Sequence, residues 1–143
     1  MKILLFNLLL FSVINSLGQE FPVEFKIDNL KNSDGNIIVS VYEDSKSFDE
    51  GMPLFRQTIS KKENMNNGTF VGQLLIPKGV YGLVFLDDEN GDGEMTNNLL
   101  GLPKEGFGFS NFYLSGFKKP KFSDFSFTHT ENSEIIEVRL RYL

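Results

Sequence analysis

Asp88, Asn90 and Asp92 alternate through the stretch "DDENGDGEMTNN", Asp87 to Asn98, and Gly93 follows them directly. Oxygen-bearing side chains at i, i+2 and i+4, then a glycine that permits a sharp turn, form the opening of an EF-hand calcium loop. Calcium takes about six to eight oxygens from carboxylates, amides, backbone carbonyls and water. The backbone carbonyl of Glu94 falls where the seventh loop position would supply one. The pattern then departs from an EF-hand. Its twelfth position, which should be a bidentate Glu, is Leu99, and Val80 to Asp87 reads as a strand rather than a helix. The spacing instead predicts a shorter calcium loop on a β-sandwich, completed by Asn98, Glu94 or the more distant Glu105. With oxygen donors alone and no His or Cys nearby, calcium is favoured over magnesium or zinc, in a structural role. The competing explanation is a solvated turn, since Asn-Gly and Asp-Gly pairs suit tight turns by themselves. Crowding of Asp87, Asp88, Glu89, Asp92 and Glu94 weighs against a bare turn, because these charges repel unless something screens them.

A second constellation is aromatic. Phe107, Phe109, Phe112, Tyr113 and Phe117 are interleaved with Gly106, Gly108 and Gly116, which let the backbone bend closely over something. One reading is an apolar or sugar-stacking groove beside the acidic loop, for a small molecule or a glycan. The plainer reading, which the general burial of aromatics favours, is a long loop anchored by Phe over an open end of the fold.

Catalytic constellations are poor. His129 is the only His, at an expected strand end, and there is no G-x-S-x-G elbow to present a serine nucleophile. With no Cys, thiol catalysis and thiolate metal sites are excluded. Carboxylates are plentiful enough that a glycosidase-type pair stays open as an alternative. The chain therefore reads as a non-enzymatic module rather than an enzyme.

The elements that must carry these residues begin after an N-terminal segment of a different kind. Lys2, the apolar run Ile3 to Ile14, and Ser16 and Gly18 at the −3 and −1 positions make residues 1–18 a secretory signal peptide. Residues 19–143 are then one exported domain, periplasmic, at the cell surface or secreted. It carries no further membrane-span-length apolar stretch. With 19 acidic against 14 basic residues, nucleic acid is an unsuitable partner; the partner is not named by the sequence, and a glycan or surface protein stays open. An exported chain without cysteines depends on its core for stability, and 15 Phe with no Trp point to a Phe-packed one.

Period-2 alternation dominates that domain. "FPVEFKID" places Phe21, Val23, Phe25 and Ile27 on one face, and "IIVSVY" does so with Ile37, Val39 and Val41. Asp34-Gly35 between them predicts a hairpin. "EDSKSFDEGMPLF" reads as a loop with one helical turn, "RQTIS" as a weak strand and "KKENMNNG" as a polar turn. "TFVGQLLI", "VYGLVFLD", "DFSFTH" and "EIIEVRLRY" supply further strands, the second apolar on both faces like a central strand. About seven strands and no long amphipathic helix predict an all-β sandwich of immunoglobulin or transthyretin-like type.

The segment from Leu75 to Asn111 resembles the bacterial secreted family called domain of unknown function 2141. Pro77, Gly79 and Tyr81 match its P-x-G-x-Y entry into a strand, Asp88 to Gly93 its acidic loop, and Gly101 to Asn111 its following segment. Gly35 to Tyr42 is similar to its front strand. The resemblance implies an exported β-sandwich and brings no established activity with it. The resemblance also implies that Thr96 stands where many relatives carry Asp; if that Asp is a cation ligand, the site here would be weaker or differently completed.

Overall fold

The computed structural model describes residues 18–143. The expected signal peptide falls almost wholly outside the described residues. Among the described residues, nine strands are joined by three short helices: β1 (Glu20–Asp28), β2 (Asn36–Tyr42), α1 (Ser45–Asp49), β3 (Phe55–Ser60), α2 (Lys61–Asn64), β4 (Met65–Asn66), β5 (Thr69–Pro77), β6 (Gly79–Asp88), β7 (Gly106–Phe109), α3 (Phe122–Phe125), β8 (Ser126–His129) and β9 (Ile136–Arg139). The order β4-β5-β1-β9 forms one sheet, and β3-β2-β6-β7, with β8 also on β6, forms the other. The all-β sandwich predicted from periodicity is the fold.

The alternating strands do what their pattern demands. Val23, Phe25 and Ile27 of β1, Ile37, Val39 and Val41 of β2, Phe70, Leu74 and Ile76 of β5 and Leu83 and Phe85 of β6 are buried in one core with Ile136, Val138 and Leu140. Phe25 sits at its centre, 6.2 Å from the Phe70 ring and 5.1 Å from that of Phe85. Because successive strand residues face opposite ways, β6 also has an outer face. That face is covered by a second cluster of Tyr42, Phe48, Phe109, Phe122 and Phe125. The apolar character of "VYGLVFLD" on both sides is thereby explained.

Several expectations change. "KKENMNNG", expected as a polar turn, contains α2 and β4, and "DFSFTH", expected as a strand, begins within α3 before β8. β1 and β2 are not a hairpin: β1 pairs antiparallel with β5 and parallel with β9, while β2 pairs with β3 and β6. The connection through Asp34-Gly35 crosses between sheets, anchored by Asn29, whose side chain donates to the Leu140 carbonyl. The segment after the acidic loop also contains a strand, β7, paired with β6 from Asp87↔Gly106 to Val84↔Phe109. This pairing brings Glu105 back beside the start of the acidic loop.

Candidate metal centre

Asp88 ends β6 and is buried, with 1 % of its surface exposed. Its two carboxylate oxygens are held by the loop that follows. Oδ1 accepts from the Asp92 backbone N–H at 3.1 Å and Oδ2 from the Gly93 N–H at 3.0 Å. The chain can fold back so tightly because Gly91 and Gly93 adopt φ of 71° and 82°. Asp92 is in turn clasped locally. Its Oδ1 accepts from the Glu94 N–H at 2.9 Å, and its Oδ2 accepts from the Asn90 side-chain amide at 3.1 Å. The Glu94 amide is the main reason that the Asp92 carboxyl is held below the ordinary 3.8.

Glu105 arrives from the far side of the loop, immediately before β7. One carboxylate oxygen of Asp88, of Asp92 and of Glu105 lie within 4.8 Å of one another. Glu105 is only 5 % exposed. Its Oε2 accepts from the Thr96 N–H at 2.9 Å, and its Oε1 is buried with no hydrogen-bond partner. A buried carboxylate oxygen without a donor costs free energy comparable to a lost charged hydrogen bond. Beside two further carboxylates the cost rises.

The residues singled out from the sequence divide as follows. Asp88 and Asp92 meet at the centre. Asn90 stays within the loop, with Oδ1 accepting from the Asp92 N–H and its amide bridging to Thr96 Oγ1 at 3.0 Å. Glu94 is exposed and stands apart from the three-carboxylate cluster. Asn98 is committed elsewhere: its Oδ1 accepts from the N–H groups of Leu100 and Leu102 and shapes the tip of the next turn. Thr96 joins the shell by touching Asp92, 3.4 Å from Oγ1 to Oδ2. Glu105 lies 13 residues beyond Asp92, so no local spacing pairs them. The signal that finds it is an acidic residue flanking a strand next to the loop.

The aromatic segment also divides. Phe107, Phe109 and Phe112 pack against Tyr42, Phe48, Phe122 and Phe125 on the outer face of β6. Tyr113 and Phe117 are exposed, and each carries an arginine over its ring, Arg139 at 5.0 Å and Arg141 at 5.2 Å. Tyr113 borders an open concavity of about 330 Å³ that Asp28, Asn111, Glu137 and Arg139 share. His129 is buried between Ser133 Oγ at 3.0 Å and the Phe21 carbonyl at 3.3 Å, which is a structural setting.

A different ionic group lies at the same end of the sandwich. Lys61 and Asp87 are both fully buried, Nζ to Oδ1 2.5 Å. The Tyr142 hydroxyl donates to Asp87 Oδ2 at 2.6 Å, and Lys61 also donates to Asn32 Oδ1 at 3.1 Å. Burial pushes the Asp87 carboxyl up, against the lowering effects of Lys61 and Tyr142. The Tyr142 hydroxyl is pushed up strongly by burial and by Asp87. Gly106, the cross-strand partner of Asp87, makes room for this: a Cβ there would lie 2.5 Å from the Tyr142 ring.

Among the described residues, no helix is long and apolar enough to cross a membrane. Residues 25–137 match the model of a family described as an uncharacterized protein conserved in bacteria (DUF2141), and the chain belongs to that family. No curated protein and no solved structure matches it.

Proposed function

We propose that this member of the family is an exported, non-enzymatic binding or accessory module whose acidic loop holds a divalent cation, calcium by the chemistry of its donors. The observation that carries this is the convergence of Asp88, Asp92 and Glu105, the last of which has a buried carboxylate oxygen that no protein group satisfies. Hard oxygen donors on a loop of backbone N–H groups suit calcium, and the loop's carbonyls and water would complete its shell. The cation's role is structural: it ties the end of β6 to the start of β7 and fixes the loop between them. Export rests on Lys2, the apolar run to Ile14 and the small residues Ser16 and Gly18.

Asp87 gives the hydrolase alternative no support, because its carboxyl is wholly enclosed by Lys61 and Tyr142 and faces no cleft. The exposed Tyr113 beside its concavity supports a glycan or small-molecule reading for the binding partner. Isothermal titration of the chelator-stripped protein with calcium tests the cation reading. A single saturable site that disappears in Asp88→Ala is expected; heats indistinguishable from dilution would end it. Titration with short neutral oligosaccharides, comparing wild type with Tyr113→Ala, tests the second.

A further inference from the structure

The Lys61–Asp87 pair is built unlike an ordinary salt bridge. Lys61 lies in a stretch, "KKENMNNG", whose composition is that of a surface turn, yet its side chain is completely buried. It enters the end of the sandwich from the first turn of α2 and stops against the last inward-facing residue of β6. Asp87 shares that face with Leu83 and Phe85, since its cross-strand partner Ile37 stands in register with Val39 and Val41. The Lys61 and Asp87 side chains are closed to solvent, while their partners Asn32 and Tyr142 are half-buried. An ion pair sealed in an apolar core is a weak stabiliser, because removing both charges from water offsets most of their attraction. The site is nevertheless supplied with further polar groups. Tyr142 donates to the second Asp87 oxygen while its own oxygen accepts from the Lys31 N–H at 3.4 Å, and Gly106 keeps the space for its ring.

These are the parts needed to make an amide. We propose that Lys61 and Asp87 become joined by an intramolecular isopeptide bond between Nζ and Cγ, which braces the sandwich in a chain without cysteines. The step balances within the pair. One ammonium proton passes to Asp87 Oδ1, which Nζ already contacts; the freed amine lone pair then forms the Nζ–Cγ bond. A second proton passes from Nζ to the same oxygen, the Cγ–Oδ1 bond breaks, and one water leaves. Nζ keeps one hydrogen and Oδ2 becomes the amide carbonyl oxygen. No oxidant, reductant or activating co-reactant enters. The Tyr142 hydroxyl stabilises the negative charge that gathers on Oδ2 as the tetrahedral carbon forms. Fixed contact between the reacting groups replaces the encounter that makes such condensation unfavourable in water. The enclosed core keeps water from reversing it.

The test is the mass of the folded full-length product after purification, read beside a tryptic map. The expected mass is one water below that of the same polypeptide with free side chains. In the map, trypsin leaves the Lys61 bond uncut, and the peptide carrying Lys61 is covalently joined to the one carrying Asp87. Lys61→Arg retains the positive charge and has no primary amine, so the water returns to the mass. Asp87→Asn would release ammonia instead and arrive at the same final mass as the wild type. A wild-type mass with no water lost, from protein whose circular dichroism shows a folded sheet, overturns the proposal. So does a water lost at another position, such as an Asp-Gly succinimide, or a link from Lys61 to Asn32 with loss of ammonia.

Discussion

Replacing Glu105 by Gln should change the stability of the domain in opposite directions with and without calcium. Without the cation, wild-type Glu105 keeps an unpartnered, buried oxygen in a carboxylate grouped with those of Asp88 and Asp92. An unsatisfied buried acceptor costs about 1–3 kcal/mol. The glutamine amide removes the charge, keeps an oxygen for the Thr96 N–H and turns two donors toward the neighbouring carboxylates. A gain of about 1–2 kcal/mol follows for the chelated protein. Unfolding entropy of about 2.1 cal/mol/K per residue gives roughly 0.26 kcal/mol/K for a domain of this length, so Tm should rise by about 4–8 °C. With calcium about a hundredfold above the wild-type Kd, the native protein gains about 2.7 kcal/mol, a rise of about 10 °C. A variant whose Kd is about a hundredfold weaker gains only about 0.4 kcal/mol, under about 2 °C. Paired thermal melts by circular dichroism, in chelator and in calcium, decide it. A Glu105→Gln protein that melts below wild type in chelator, or an equal rise of both proteins in calcium, would mean that the Glu105 carboxylate neither carries the unsatisfied cost nor binds the cation.

Three further outcomes follow from the packing and the charges. Gly106→Ala places a methyl group 2.5 Å from the Tyr142 ring; it should lower stability by about 1–3 kcal/mol, seen as a reduced urea midpoint at unchanged slope. Phe25→Ala empties the contact between Phe70 and Phe85 at the centre of the core and should cost about 3–5 kcal/mol by the same measurement. The folded carboxyl of Asp92 lies below its ordinary 3.8, so its contribution is complete above that value and is lost as pH falls through the lower folded one. In chelator, Asp92→Asn should therefore flatten the acid limb of a melting profile taken below pH 3.8; an unchanged limb would show that the Glu94 contact carries no stability.

The strands were legible because period-2 alternation states which side chains go inward, and the inward set of β1, β2, β5, β6 and β9 is the observed core. Alternation does not state which strand is the neighbour. Asp34-Gly35 carries an intrinsic turn preference, and that preference serves a sheet-to-sheet crossing as well as a hairpin. Strand β7 escaped because "GFGF" offers half its positions to glycine. Gly106 and Gly108 stand where side chains would meet Tyr142 and Val138, so the absence of a side chain is itself the packing requirement. The acidic loop was legible in Asp88 and Asp92, whose spacing is local. Its third member is one of three candidates in the sequence, Asn98, Glu94 and Glu105, and the β6–β7 register is what selects Glu105.

Lys61 and Asp87 show where a composition-based reading must fail. Lys61 opens a polar stretch and Asp87 stands where an apolar strand meets the acidic loop, and charge alone places such residues in water. What buries them is position. Asp87 is the last inward residue of a central strand and Asp88 the next residue outward, so one step along the backbone separates two unlike environments. On the inner side the carboxyl meets Lys61 and Tyr142, and the pair is sealed from solvent. On the outer side the carboxyl meets loop N–H groups and two other carboxylates. The end of β6 is therefore held twice, by a lysine within the sandwich and by the acidic loop over it. If these act on one strand end, calcium should protect the amide protons of both β6 and β7 from hydrogen exchange in wild type, and Lys61→Met should weaken that protection at β6 without abolishing calcium binding. Calcium-independent exchange at Asp87 and Asp88 would mean that the loop closes on itself and leaves the strand end to Lys61 alone.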